Sequence, residues 1–147
     1  MTPDENLLKT RKHLHFIGIG GSGMFPMVQI LHNEGFYITG SDNNETETTK
    51  IERKMGIPVT FGQAAENIEG ADLIVYTAAI MADNPELIAA KASGVPCLER
   101  SEMLGLLSKR YSKAVCVAGT HGKTTTSGMI AQVLLESGKD PSAFIGG

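Results

Sequence analysis

The chain has 147 residues, 41% of them apolar and 20% charged, with a formal net charge of −3. That balance is ordinary for a soluble globular chain and excludes a collagen-like repeat, a long coiled coil or a disordered tract. It also argues against a nucleic-acid footprint, which needs a basic face.

No apolar run approaches the ~18 residues of a membrane span, and MTPDENLLKTRKH (1–13) lacks the apolar stretch of a signal peptide. Cys97 and Cys116 each sit in an apolar, strand-like run. They read as buried, reduced thiols of a cytoplasmic protein, since a disulfide framework or a zinc site needs more ligands at closer spacing. No membrane or nucleic-acid partner is expected.

In chain order, LHFIGIG (14–20) reads as a strand entering a glycine turn. SGMFPMVQILHNEG (22–35) carries Met24, Met27, Val28, Ile30 and Leu31 at helical spacing, with Pro26 in the first turn and Gly35 as a stop. FYITG (36–40) is a second strand. A helix runs from the SDNNETETTK segment to Lys54 and ends at Met55-Gly56; IPVTF (57–61) is a third strand. DLIVYTAAI (72–80), apolar nearly throughout, predicts a fourth strand covered on both faces.

Asp83-Asn84-Pro85-Glu86 combines a cap, a proline and a first-turn acid, so a helix starts there and ends at Ser93-Gly94. VPCLE (95–99) is a fifth strand, and a helix runs from Ser101 to about Lys109. KAVCVAG (113–119) predicts a sixth strand, followed by a helix from about Lys123 to Ser137. Strands alternating with helices imply right-handed crossovers and a parallel sheet. The expected fold is α/β: a Rossmann-like parallel sheet with flanking helices over residues 1–112. The first strand and helix of a P-loop domain follow over residues 113–147.

Two glycine loops carry the chemistry. Gly18-Ile19-Gly20-Gly21-Ser22-Gly23 matches G-x-G-x-x-G between a strand and a helix. N–H groups near Gly21 to Met24 would point at an anion there. Asp42, just past the second strand, stands where this fold meets the ribose or base of a nucleotide. Thr77, Ala78, Ala79 and Ile80 end the fourth strand and leave room for a ligand beside the loop. The pattern specifies a nucleotide with a pyrophosphate and does not distinguish NAD, FAD or a UDP-sugar. A tight turn without a ligand is the bland alternative; for Asp42 it is a solvated loop with a helix cap.

Gly119-Thr120-His121-Gly122-Lys123-Thr124-Thr125 holds the G-K-[ST] core of a Walker A loop, although Val117 stands where the motif's first glycine belongs. The backbone would wrap the β-phosphate of ATP, Lys123 would neutralise phosphate oxygens, and Thr124 would ligate Mg²⁺. The bland alternative is an exposed turn with a solvated lysine. His121 reads as phosphate-facing or structural rather than as a general base. His13 and His15 share one face of the first strand with no third metal ligand nearby in sequence.

Six motifs together, HFIGIGGSGM (15–24), GSD (40–42), TAAI (77–80), DNPEL (83–87), RSEML (100–104) and AGTHGKTTTSGMIA (118–131), resemble the Mur ligases. The likeness runs from about His13 to Gly147. It is strongest to the branch that joins L-alanine to UDP-N-acetylmuramate in peptidoglycan precursor synthesis. The peptide-recycling branch shares the second loop, but its first loop is less like GIGGSGM.

The resemblance implies an ATP- and Mg²⁺-dependent, amide-forming ligase of several hundred residues, working through an acyl phosphate. Gly18, Gly20, Gly21, Ser22, Gly23 and Met24 would hold the diphosphate, and Asp42 and residues 77–80 the ribose or uracil. Gly119 to Thr125 would hold ATP, with Lys123 as the catalytic cation.

Only 24 residues follow Lys123. The 147 residues alone are therefore expected to be inactive, and the apolar faces of 113–147 to favour self-association. An NAD-binding oxidoreductase or redox sensor and a non-catalytic UDP-sugar module are the alternatives.

Overall fold

A computed structural model describes residues 6–21 and 23–109. The chain divides into two units, Met1–Tyr111 and Ser112–Gly147. The sixth strand, its helix, the Gly119–Thr125 loop and Cys116 lie outside the described residues, as does Ser22.

The described elements run α1 (Leu7–Thr10), β1 (His13–Ile17), α2 (Phe25–Asn33), β2 (Tyr37–Asp42), α3 (Glu47–Lys54), β3 (Val59–Phe61), a 3₁₀ turn (Ala65–Ile68), β4 (Leu73–Tyr76), α4 (Pro85–Ser93), β5 (Cys97–Glu99) and α5 (Arg100–Ser108). The strands form one parallel sheet in the order β3-β2-β1-β4-β5. The five expected strands are all present. The short α1 and the 3₁₀ turn have no counterpart in the sequence reading, because neither is long enough to show a helical apolar period.

The helix ends follow local rules. Gly35, Gly56 and Gly94 just beyond α2, α3 and α4 have φ of 99°, 89° and 79°, the left-handed conformation that glycine adopts without strain. Asn84 caps α4, its side-chain oxygen accepting the N–H of Glu86 (2.9 Å) and Leu87 (3.2 Å). Thr46 caps α3 in the same way, accepting from the Thr49 N–H at 3.2 Å.

β4 ends earlier than expected. The strand reading of 72–80 is corrected to Leu73–Tyr76, and Thr77 to Ile80 form a turn closed by the Ile80 N–H on the Thr77 carbonyl (3.1 Å). β1 and β5, which flank β4, end at Ile17 and Glu99, opposite Tyr76. Beyond that point no ladder partner remains to hold an extended chain. Helix α2 likewise starts at Phe25 rather than further back, where the Met24 N–H closes a turn on the Gly21 carbonyl (3.0 Å). Cys97 is half-buried rather than buried, and its thiol donates to the Val95 carbonyl (3.3 Å).

Register divides the sheet into two faces. On one, Leu14, Phe16, Ile38, Leu73 and Val75 are almost completely shielded from water. Each such side chain contributes roughly 1.5–3 kcal/mol on burial. On the other, Ile17 and Ile74 meet Ile68, Ala71, Leu87 and Ala90, which carry α4 and the 3₁₀ turn. That second face also holds a polar row. His15 and Glu86, both buried, stand 2.7 Å apart. Ser41 donates to the same Glu86 oxygen (2.8 Å), and Thr39 bridges His13 (2.8 Å) and His15 (2.9 Å).

Among the described residues no helix is long and apolar enough to cross a membrane. No cluster of three or more His, Cys, Asp or Glu among them could hold a metal ion.

Candidate functional site

A parallel sheet brings the carboxyl ends of its strands to one edge, and ligands bind there where the strand order reverses. Here the reversal lies between β1 and β4, and four residues follow directly on strand ends or close them: Gly18 after β1, Asp42 at the end of β2, Thr77 after β4 and Arg100 after β5. The candidate site is built on these four.

The first loop is tightly organised. Gly18 has φ of 85°, and its N–H and that of Ile19 both donate to the Ser41 carbonyl (2.8 and 3.0 Å). The Gly21 N–H returns to the Gly18 carbonyl (3.1 Å), and the Met24 N–H to the Gly21 carbonyl (3.0 Å). These bonds correct part of the sequence expectation, in which the N–H groups from Gly21 to Met24 are free for an anion. Those of Gly21 and Met24 close turns within the loop. The Gly23 N–H makes no hydrogen bond with a described residue.

Asp42 faces the loop. Its Oδ2 accepts the Gly20 N–H at 2.8 Å, and its Oδ1 accepts the Asn44 N–H at 3.2 Å. The carboxylate thus fixes the middle of the glycine turn. A Cβ on Gly20 would come within 2.8 Å of both Asp42 Oδ2 and Thr49 Cγ2, so this position has no room for a side chain. One turn of α3 beyond Thr49 lies Glu52, fully buried, with neither carboxylate oxygen hydrogen-bonded to a described residue. Burial, and then the neighbouring charge of Asp42, push its pKa up to about 8. Glu52 is therefore predominantly a neutral acid at pH 7.

Thr77 packs on the other side of the loop. A Cβ on Gly18 would meet Thr77 Cγ2 at 2.8 Å, so the small-residue segment does lie beside the first glycine. Ala78 and Ala79 are exposed, whereas Ile80 packs against the apolar cluster under α4. Met24 is buried at 1% exposure, so only its backbone borders the loop surface. Arg100 closes the site: a Cβ on Gly23 would lie 3.0 Å from its Nη1 and 3.2 Å from its Cζ.

The sequence-expected residues Gly18, Gly20, Gly21, Gly23, Met24, Asp42 and Thr77 thus come together, with Ala78 and Ala79 following. Arg100, Thr49 and Glu52 belong to the same place and carried no local signal of it. Arg100 stands in the RSEML motif, which marks its helix but not its spatial neighbour.

The profile of the Mur ligase family, catalytic domain, matches residues 13–112. The chain belongs to the Mur ligase family. Among curated Mur ligases it is 53% identical over 136 residues to the UDP-N-acetylmuramate–L-alanine ligase of Agathobacter rectalis, a match covering 92% of this chain and 30% of that protein.

Among solved structures of the family, it is similar to the UDP-N-acetylmuramate-alanine ligase MurC of Thermotoga maritima. That likeness has a TM-score of 0.83 at 39% identity, covering 89% of this chain and 30% of the other. The UDP-N-acetylmuramate:L-alanyl-gamma-D-glutamyl-meso-diaminopimelate ligase of Neisseria meningitides follows with a TM-score of 0.80 at 31% identity, covering 88% and 41%. The chain therefore spans about 30% of the length of the curated Mur ligase it matches at 53% identity.

Proposed function

We propose that the described unit holds the UDP portion of UDP-N-acetylmuramate. In this reading the chain forms the first part of a cytoplasmic, ATP-dependent ligase that joins L-alanine to that nucleotide in peptidoglycan precursor synthesis. The observation that carries the reading is the glycine loop at the reversal of strand order, in a chain 53% identical to a ligase of that name. The diphosphate would lie over Gly20, Gly21, Ser22 and Gly23 beside Gly18 and Met24, with the ribose or uracil towards Asp42 and Thr77 to Ile80.

ATP, with Mg²⁺, supplies the phosphoryl group that activates the muramyl carboxylate for attack by the amine of L-alanine. Gly119, Thr120, His121, Gly122, Lys123, Thr124 and Thr125 are proposed to hold it, with Thr124 on the metal and Lys123 on the transferring group. They lie outside the described residues, so their assignment rests on the sequence motif. The 147 residues by themselves are proposed to be inactive and to self-associate through residues 113–147.

Competition titration tests the reading. UDP-N-acetylmuramate should bind the 147-residue chain, and NADH should not displace it. Tight NADH binding with no UDP-sugar binding would replace this reading with that of a dinucleotide-binding module. Formation of ADP by the chain that depends on both UDP-N-acetylmuramate and L-alanine would show that it turns over alone. A monomer by light scattering would refute the self-association.

A further inference from the structure

We infer that Arg100 is the side chain that neutralises the diphosphate at the glycine loop and makes the site selective for a nucleoside diphosphate over a monophosphate. This inference rests on the loop taking the diphosphate, and adds the cation which that reading lacks.

Gly23 supplies the first argument. Its φ lies outside the left-handed region, unlike that of Gly18, so no backbone strain demands a glycine there. Its close neighbour is Arg100, whose Nη1, Cζ and Cδ would lie 3.0, 3.2 and 3.4 Å from a Cβ, so a side chain there would press on the guanidinium. The loop therefore leaves a place into which the guanidinium fits.

The second argument is that this guanidinium is uncommitted. Arg100 is exposed and forms no hydrogen bond or ion pair with a described residue, although glutamates flank it. The Glu99 carboxylate accepts the Ser101 hydroxyl (3.3 Å), and the Glu102 carboxylate accepts the Glu99 N–H (3.1 Å). Two other bases of this region have partners of their own. Arg53 donates to the Val59 carbonyl and covers the Phe61 ring, and Lys50 pairs with Glu47.

The third argument is electrostatic. Residues 42–102 carry eleven acids and five bases, a formal net of −6 that stays strongly negative with Glu52 neutral. An anion bound at this edge meets an unfavourable field unless a local cation offsets it. A guanidinium offers a planar fork of donors matched to phosphate oxygens, and such charge-assisted bonds are about twice as strong as neutral ones. Arg100 follows β5 and lies against Gly23, whereas Asp42, which accepts the Gly20 N–H, ends β2 on the other side of β1.

Ligand-observed NMR and calorimetry on the 147-residue chain, with UDP, UMP and uridine as probes, test the inference. Arg100→Ala should weaken UDP binding by about tenfold or more, weaken UMP less and leave uridine within about twofold. Arg100→Lys should recover part of the loss, and Arg100→Gln, which keeps the side chain out to Cδ without its charge, should not. Unchanged UDP affinity in Arg100→Ala overturns the role of Arg100 and leaves the loop assignment standing. An equal loss for all three ligands also overturns it, since a purely structural effect would not discriminate by phosphate number. Wild-type protein that fails to bind UDP overturns the loop assignment and this inference together.

Discussion

His15 Nε2 and Glu86 Oε1 lie 2.7 Å apart at 1% and 0% exposure, in the layer between the sheet and α4. With His15 carrying one proton, on Nε2, a single chain of donors satisfies the row around them. His13 donates to Thr39, Thr39 to His15 Nδ1, and His15 Nε2–H and the Ser41 hydroxyl both donate to Glu86 Oε1. Glu86 Oε2 has no partner among the described residues. Removing the carboxylate would leave a buried imidazole N–H and a buried hydroxyl unpaired. Glu86→Ala should therefore destabilise the chain by about 3 kcal/mol. Glu86→Gln, whose amide oxygen still accepts, should cost less. Urea denaturation of both variants measures the difference, and equal stability of Glu86→Ala and the parent chain would contradict it.

Glu52 gives the fold a pH dependence of definite sign. Its carboxyl titrates at about 8 in the folded chain and near 4.5 when unfolded. Between those values the folded state binds more protons, so stability falls as pH rises from about 4.5 to 8 and levels off above. Glu52→Gln keeps the shape without the charge. It should flatten the dependence over that window and be more stable than the parent at pH 8. Thermal melts at pH 5, 6.5 and 8 decide this, and parallel curves for the two proteins would count against a buried neutral acid.

Gly20 and Gly21 are adjacent but constrained differently. Gly20→Ala drives a methyl into Asp42 Oδ2 and Thr49 Cγ2, both at 2.8 Å, and should cost about 1–3 kcal/mol. At Gly21 the nearest atom to a Cβ is the Gly18 carbonyl oxygen at 3.4 Å, and the residue is exposed. Gly21→Ala should stay within about 0.5 kcal/mol of the parent in stability. It should still weaken UDP binding, because the added methyl stands where the ligand approaches. Comparing melts with UDP titrations separates the two effects.

Gly40 and Ile19 are interlocked. A Cβ on Gly40 would collide with Ile19 Cδ1, and with Ile19 Cβ at 2.6 Å, which no rotamer change can move away. Gly40→Ala should destabilise by about 2 kcal/mol or more. Asp42→Ala acts on the same turn by a different route: it leaves the Gly20 and Asn44 N–H groups without their acceptor. A loss of about 1 kcal/mol is expected, with weaker UDP binding, while Asp42→Asn retains an acceptor oxygen and most of both. Denaturant melts and UDP titrations of the three variants check these outcomes.

The alternation of apolar runs with capped helices was enough to place five strands and the helices between them, since Gly35, Gly56, Gly94 and Asn84 act on their own neighbours in sequence. It overshot at β4, because the apolar run continues past Tyr76 while the ladder does not. The glycine loop was legible for the same reason as the helix ends: strand, turn and helix are contiguous. The acid in the first turn of α4 reads in sequence only as part of a helix start. It is instead the buried acceptor for His15, seventy-one residues away in sequence.

The order of the five strands and of α2 to α5, the glycine turn between β1 and α2, and the family to which the motifs point are all legible in the chain read locally. Turns, caps and apolar periods are short-range effects written in neighbouring residues. Folding across the sheet is what brings Asp42 to the Gly20 N–H, sets Thr49 and Glu52 behind it, and lays Arg100 against Gly23. Those contacts exist because the order β3-β2-β1-β4-β5 gathers the carboxyl ends of distant strands at one edge. No local pattern encodes which distant residue will be waiting there.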